Sequence, residues 1–119
     1  PFETNNLTHN SDMYAYWVDQ AKDAPELQIG GPTMSWLYEA LSECRNLSKL
    51  PSPETPCITF CGEIDQLVDN SSIKDRMKKW PGGKFSMIRN GKHDVLTEIP
   101  DIGDDVPSQI MAFFSNSAK

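Results

Sequence analysis

Residues 57–62 read CITFCG, and this short run decides the fold class. It is apolar and partly β-branched and ends at a glycine, so it predicts a buried β-strand. A second such run, FSMI at residues 85–88, predicts another strand. Residues 71–80 lie between them with apolar side chains at helical spacing, and the Pro-Gly-Gly that follows ends this helix. The order strand, helix, strand predicts an α/β fold with parallel strands joined by a crossover helix.

Amphipathic helices are also predicted on both sides of this unit. Apolar side chains recur at helical spacing over residues 11–22, 33–47 and 106–114. Residues 1–10 are polar and predict a loop, and the run PSPETP at residues 51–56 predicts a linker because its prolines forbid a helix. Two parallel strands need neighbouring strands and covering helices. We therefore expect this chain to be the C-terminal part of a larger α/β domain.

Composition narrows the classes of function. The chain has 119 residues with 17 acidic and 11 basic side chains, giving a net charge of −6. This sign argues against a nucleic-acid partner, since a protein that follows phosphates is basic. No apolar stretch approaches the roughly 20 residues that cross a bilayer. The three cysteines cannot all pair, and Cys57 and Cys61 would lie about 13 Å apart in a strand. This usage predicts a reducing, cytoplasmic location.

Two candidate catalytic side chains follow the two predicted strands. Asp65 lies in GEIDQLVD at residues 62–69, and His93 lies in GKHD at residues 91–94. Functional groups of open α/β sheets gather at the carboxyl ends of the strands, so we expect Asp65 and His93 to meet. A carboxylate that orients an imidazole base forms two thirds of a nucleophilic triad. The order acid then histidine is the order of α/β-hydrolases, in which the serine comes earlier.

Neighbouring side chains offer weaker alternatives. Asp69 competes with Asp65 as the acid, although Asp69 can instead support the start of the crossover helix. His9 lies in a polar loop and is expected to have no role. Asp94 would point away from the site if its loop is extended. Glu98 is at least as readily a solvated or local structural carboxylate as a functional one.

No metal site or cofactor is predicted. The candidate ligands for a zinc ion are Cys44, Cys57, Cys61 and His93. Their spacing fits none of the usual paired cysteine arrangements of zinc sites. Two of these thiols lie in the apolar strand, where a free cysteine behaves as a small hydrophobic residue.

At this point the sequence resembles a known family. Nearly the whole chain resembles the C-terminal part of the α/β-hydrolases of the lysophospholipase L2 and monoacylglycerol lipase group, the serine aminopeptidase S33-like hydrolases. Each motif is weak singly, but their joint order and spacing make the assignment fairly specific. The motifs are Asn6-Leu7-Thr8 followed by Asp12, Pro25-Glu26-Leu27, Gly30-Gly31-Pro32-Thr33 with Trp36-Leu37, Gly62-x-x-Asp65-x-x-Val68-Asp69, and His93-Asp94-x-Leu96-x-Glu98.

The resemblance implies a division of the chain and a missing nucleophile. Residues 1–50 would be the C-terminal part of the helical cap, and residues 51–119 the C-terminal strands and helices of the α/β-hydrolase core. No Gly-x-Ser-x-Gly motif occurs in this sequence. The resemblance therefore implies that the nucleophile and the oxyanion hole lie upstream of Pro1. We expect this chain to be inactive without that N-terminal part of the same domain.

The resemblance also implies an activity. The parent would be a serine hydrolase of carboxylic esters such as lysophospholipids or monoacylglycerols, with His93 as base, Asp65 as its orienting acid, and Trp36 as a substrate-binding residue of the cap. One alternative is a different chemistry on the same fold, namely a peptidase, a thioesterase or a hydrolase with an aspartate nucleophile. Another is a binding module that has lost its nucleophile. The basic side chains over residues 74–79 allow a weak peripheral contact with anionic lipid.

Overall fold

Helices and a pair of strands follow one another along residues 1–117, which are the residues that this computed structural model describes. The elements in chain order are α1 (Ser11–Asp23), α2 (Met34–Leu47), β1 (Ile58–Gly62), α3 (Asn70–Lys78), β2 (Lys84–Ile88), α4 (Pro100–Gly103) and α5 (Asp105–Ser117). Short 3₁₀ turns at Phe2–Thr4 and Pro25–Leu27 precede and follow α1. The predicted strands are found to within one residue.

The two strands pair in parallel, as the sequence predicts. Ile58 lies opposite Lys84 at the start of the pair, and Gly62 lies opposite Ile88 at its end. Helix α3 connects the two strands and so forms the expected crossover element. The carboxyl ends of both strands therefore lie side by side, and the loops that follow them leave from the same edge.

Helices cover both faces of this strand pair. On one face the hydroxyl of Thr59 contacts the sulfur of Met77 in α3 at 3.2 Å, and Met77 is buried. Side chains alternate along a strand, so Phe60 points to the other face. There it packs against a core cluster of Ile88, Val95 and Val106, with Val106 almost completely buried. The loop that follows β2 supplies Val95, so this core also anchors that loop.

The two N-terminal helices are far less buried. Neither α1 nor α2 contains a fully buried residue, although each begins with a side-chain cap from Asn10 or Thr33. Helix α2 leaves Trp36, Tyr38 and other large apolar side chains exposed. An apolar surface of this extent is typical of a face that another part of a protein covers.

Candidate active site

A pair of glycines brings the loops after β1 and β2 together. A Cβ atom on Gly62 would lie 1.9 Å from the carbonyl oxygen of Lys92 and 2.3 Å from that of Gly91, so only glycine fits there. The amide of Ile64 donates to the carbonyl of Gly91 at 3.0 Å, and the amide of Glu63 donates to the carbonyl of Ile88 at 2.9 Å. The loop that carries Asp65 is thereby fixed against the loop that carries His93.

The structure brings Asp65 and His93 into contact. The Oδ2 atom of Asp65 lies 2.8 Å from the ring Nδ1 of His93. The Asp65 side chain is 3% exposed, whereas the His93 side chain is 39% exposed. A carboxylate on Nδ1 favours the tautomer with its proton on Nδ1, which leaves the lone pair on Nε2. The accessible ring of His93 can therefore accept a proton at Nε2, while the buried Asp65 carboxylate contacts Nδ1.

Backbone amides keep the Asp65 carboxyl ionised. Its Oδ1 atom accepts hydrogen bonds from the amides of Leu67 at 2.7 Å and Val68 at 3.4 Å. Burial raises the pKa of Asp65, but the Leu67 amide, the His93 ring and the Val68 amide together hold this pKa below its usual value. Asp65 is thus an anion at neutral pH. Its negative charge can stabilise the imidazolium cation that forms when His93 takes up a proton.

The rival acid, Asp69, is engaged elsewhere. Its side chain caps α3 by accepting from the amide of Ser71 at 3.0 Å and from the hydroxyls of Ser71 and Ser72. These bonds lower the pKa of Asp69 to about 2. Asp69 therefore has the helix-start role that the sequence left open, and the contact to His93 belongs to Asp65.

Sequence reasoning missed a second carboxylate–histidine pair beside the site. The ring Nδ1 of His9 lies 3.0 Å from Oε1 of Glu98, whose side chain is 0% exposed. Of the alternatives left open for Glu98, the solvated one is wrong and the local structural one agrees with the structure. The expectation that His9 has no role is also wrong, because its ring contacts this buried carboxylate. Burial raises the pKa of Glu98, but the amides of Lys92 and His9 and the His9 ring together lower it. The only sequence signal for this pair was the place of Glu98 in the histidine motif.

The polar N-terminal segment reaches this pair because it returns to the histidine loop. The carbonyl of Asn6 accepts from the amide of His93 at 3.3 Å, and the carbonyl of Leu7 accepts from the amide of Asp94 at 2.8 Å. These backbone bonds hold the two segments alongside each other. His93 is thus held at its backbone by the N-terminal segment and at its ring by Asp65.

Trp36 lies at a separate place. It lines a cavity of about 460 Å³ together with residues 29–33, and the residue is 59% exposed. Neither Asp65 nor His93 is among the described residues that line this cavity. A second cavity of about 600 Å³ lies between the end of α2 and α3, with Leu47, Met77 and Trp80 in its wall.

Residues 1–117 contain neither a cluster of metal-ligating side chains nor a membrane-spanning helix. No three or more His, Cys, Asp and Glu side chains are grouped there so that they could hold a metal ion. No helix in the same range combines the length and the apolar character that crossing a membrane requires. The cysteines at positions 44, 57 and 61 are all free thiols.

Comparisons with known proteins support the resemblance. No family model matches the chain, and no solved structure matches it significantly. A probable lysophospholipase L2 of Haemophilus influenzae is 28% identical over 114 residues, which is 95% of this chain and 36% of that protein. Lysophospholipase L2 of Escherichia coli strain K12 is 27% identical over 124 residues, which is 97% of this chain and 36% of that protein. The predicted resemblance is confirmed: this chain is similar to the lysophospholipase L2 proteins over nearly its whole length, in a region that makes up about a third of theirs.

Proposed function

We propose that this chain supplies the acid and the base of a serine hydrolase that cleaves lysophospholipids or related carboxylic esters. The observation that carries the proposal is the 2.8 Å contact between Asp65 Oδ2 and His93 Nδ1, at the carboxyl ends of two parallel strands. The relatives named lysophospholipase L2 favour an ester of an amphiphilic lipid as the substrate.

In this proposal His93 moves the proton and Asp65 stabilises the charge. The Nε2 atom of His93 takes the proton of a serine hydroxyl while the serine oxygen attacks the ester carbonyl carbon. His93 then gives this proton to the oxygen of the departing alcohol. In the second half of the cycle, the same nitrogen takes a proton from the water that attacks the acyl-enzyme and then gives it to the serine oxygen as the carboxylic acid is released. The Asp65 carboxylate stabilises the imidazolium in both halves.

The serine and its oxyanion hole belong to a part of the hydrolase domain outside this chain. The relatives are longer than this chain, which spans 36% of their length. The parallel pair of strands has an open edge on each side among the described residues, where further strands of an α/β-hydrolase sheet fit. The exposed apolar side chains of α2 are the kind of surface that such a domain would cover.

We assign residues 1–50 to the cap and residues 51–119 to the core of that domain. Trp36 and the cavity beside it would contact the acyl chain of the substrate. Lys74 and Lys79, on and just after α3, would add a weak contact with anionic lipid. Arg76 is less suited to this contact, because its guanidinium donates to the carbonyl of Leu50 at 2.8 Å.

The test is an assay of the complete hydrolase polypeptide that carries this chain, with a lysophospholipid and with p-nitrophenyl butyrate. We expect hydrolysis of both esters, loss of activity in a His93→Ala variant, and no activity from the 119-residue chain alone. Labelling by a fluorophosphonate would identify the nucleophile as a serine. Intact folding without hydrolysis of any ester, amide or thioester would instead favour a binding module. An aspartate at the position of the nucleophile would favour displacement at an epoxide or a halide.

A further inference from the structure

We propose that Glu98 is a positioning residue of the candidate active site: its buried carboxylate joins residues 8–9 to the backbone of Lys92 and so fixes the adjacent His93 where its ring reaches Asp65. This proposal rests on the proposed function for its catalytic consequence. The arrangement itself is independent of that function, and a structural readout can test it alone.

Both carboxylate oxygens of Glu98 are used. Oε1 accepts from the amide of Lys92 at 2.8 Å, and Oε2 accepts from the amide of His9 at 2.9 Å. The ring Nδ1 of His9 lies 3.0 Å from Oε1 and 3.2 Å from Oε2. The hydroxyl of Thr8 adds a long contact of 3.5 Å to Oε2. A buried carboxylate is stable only when it is hydrogen-bonded in this way.

These bonds cross between two distant parts of the chain. Lys92 is the residue directly before His93. The hydrogen bond from the Lys92 amide to Oε1 therefore fixes the position of the backbone that leads into His93. The ammonium group of Lys92 reaches back to the same N-terminal segment, where it donates to the carbonyl of Asn5 at 2.9 Å. Glu98 thus joins the histidine loop to the N-terminal segment at the residue beside His93.

The position of Glu98 is itself constrained by packing. A Cβ atom on Gly103 would lie 3.2 Å from the Cβ of Glu98 and 2.9 Å from the carbonyl oxygen of Val95. Helix α4 therefore approaches the loop closely on the side of Glu98, and Val95 is anchored in the core. Because Gly103 packs closely against Glu98, this residue has little room to move. A substitution that changes its carboxylate therefore displaces Lys92 and His93 instead.

The experiment compares Glu98→Gln with the matched surface variant Asp101→Asn in the complete hydrolase polypeptide. Glutamine keeps the size of the side chain but removes its charge and replaces one acceptor oxygen with a donor. Two quantities are measured: kcat for p-nitrophenyl butyrate per site titrated with a fluorophosphonate, and the NMR resonance of the His93 Nδ1 proton. Titration counts only assembled sites, so it separates positioning from a simple loss of folded protein.

We expect Glu98→Gln to lower kcat per titrated site by roughly 10- to 100-fold, because misplacement of a catalytic group by about 1 Å costs about that much. The KM should change less than twofold, and the His93 Nδ1 proton resonance should shift or broaden. Asp101→Asn should change none of these quantities. An unchanged kcat per titrated site with an unchanged resonance would overturn the proposal, whatever the change in melting temperature.

A second variant covers the case in which Glu98→Gln does not fold. His9→Gln removes the ring contact with Glu98 but keeps the backbone amide, and the His9 side chain is only partly buried. We expect a several-fold loss of kcat per titrated site and a smaller shift of the His93 resonance. Wild-type kinetics and an unshifted resonance in His9→Gln would overturn the proposal in that case. If the wild-type protein hydrolyses no ester while its His93 resonance still depends on Glu98, the proposed function fails and the positioning role stands.

Discussion

The hydroxyl of Thr8 donates a hydrogen bond of 2.9 Å to the carbonyl of Thr97, and Thr8 is completely buried. The same hydroxyl accepts from the amide of Asn10 at 3.0 Å, directly before α1. The N-terminal segment is therefore built into the loop that carries His93. It connects that loop to the first residues of α1.

The first prediction concerns this buried threonine. Thr8→Val keeps the shape of the side chain but leaves the Thr97 carbonyl and the Asn10 amide without their partner. A fully buried group without a partner costs about 1–3 kcal/mol. The Thr97 carbonyl and the Asn10 amide are partly buried, so we expect the free energy of unfolding in urea to fall by at least about 1 kcal/mol for the two together. Thr4→Val is the control, because the hydroxyl of Thr4 is exposed. Equal stability of the two variants would contradict the buried role of Thr8.

The second prediction concerns the close approach of the two loops. Gly62→Ala places a methyl group where the Lys92 carbonyl oxygen lies, so the loops must separate. We expect a loss of about 1–3 kcal/mol or more in unfolding free energy, as for other overpacked sites, together with a loss of ester hydrolysis by the complete protein. In Gly30→Ala, the added Cβ meets no atom within 4 Å, so this variant is the matched control for the unfolding free energy. Wild-type activity in Gly62→Ala would show that the loops are free to move.

The third prediction concerns pH. The folded-state pKa of Glu98 is lowered from 4.5, so its ionised form contributes stability that is fully present above the unfolded value. This contribution is lost as the pH falls through the lower folded-state value. As the pH falls below about 4.5, the free energy of unfolding should therefore decrease more steeply in the wild-type protein than in Glu98→Gln. Asp101→Asn should follow the wild-type curve. Parallel curves for wild type and Glu98→Gln would contradict the predicted linkage.

The fourth prediction separates the two candidate acids. Asp65→Asn removes the charge behind His93, and we expect kcat for ester hydrolysis to fall by two orders of magnitude or more with folding intact. Asp69→Asn should leave kcat within a few-fold, because asparagine also caps helices well. Steady-state kinetics and thermal unfolding of both variants provide the comparison. Near-normal activity in Asp65→Asn would transfer the acid role to Asp69 or remove it.

The part of the site that follows the strands could be predicted from the sequence. Apolar runs marked both strands, and parallel pairing through a crossover helix then required the loops at their carboxyl ends to lie together. That reasoning brings Asp65 to His93, which the structure also does. The choice of Asp65 over Asp69 was also consistent with the geometry, because Asp69 precedes a helix whose first amides need an acceptor.

The contact between the N-terminal segment and the histidine loop could not be predicted in the same way. It depends on the backbone carbonyls of Asn6 and Leu7. Every residue carries such a carbonyl whatever its side chain, so the sequence contains no pattern that would reveal this contact. Residues 1–10 also lack the periodicity that would reveal a buried side. Consequently the burial of Thr8 and Glu98 and the partner of His9 were found only in three dimensions.

The last prediction concerns the substrate. Trp36 lines a cavity of about 460 Å³ on α2, a helix whose apolar side chains remain largely exposed. If this surface binds an acyl chain in the complete enzyme, each buried methylene contributes about 0.8 kcal/mol. The enzyme should then prefer medium or long acyl esters to acetyl esters, and Trp36→Ala should flatten that preference. Values of kcat/KM for a series of p-nitrophenyl esters, measured on wild type and variant, give the comparison.

Tyr38→Ala is the control for this experiment, because Tyr38 lies on the same helix, is 70% exposed and is not among the described residues that line the cavity. We expect it to keep the wild-type dependence on chain length. Loss of stability in Trp36→Ala with an unchanged profile would mean that Trp36 only holds the cap against the domain. A wild-type preference for acetyl esters would contradict a lipid-type substrate altogether, since a pocket that gains free energy with every methylene cannot favour the shortest chain.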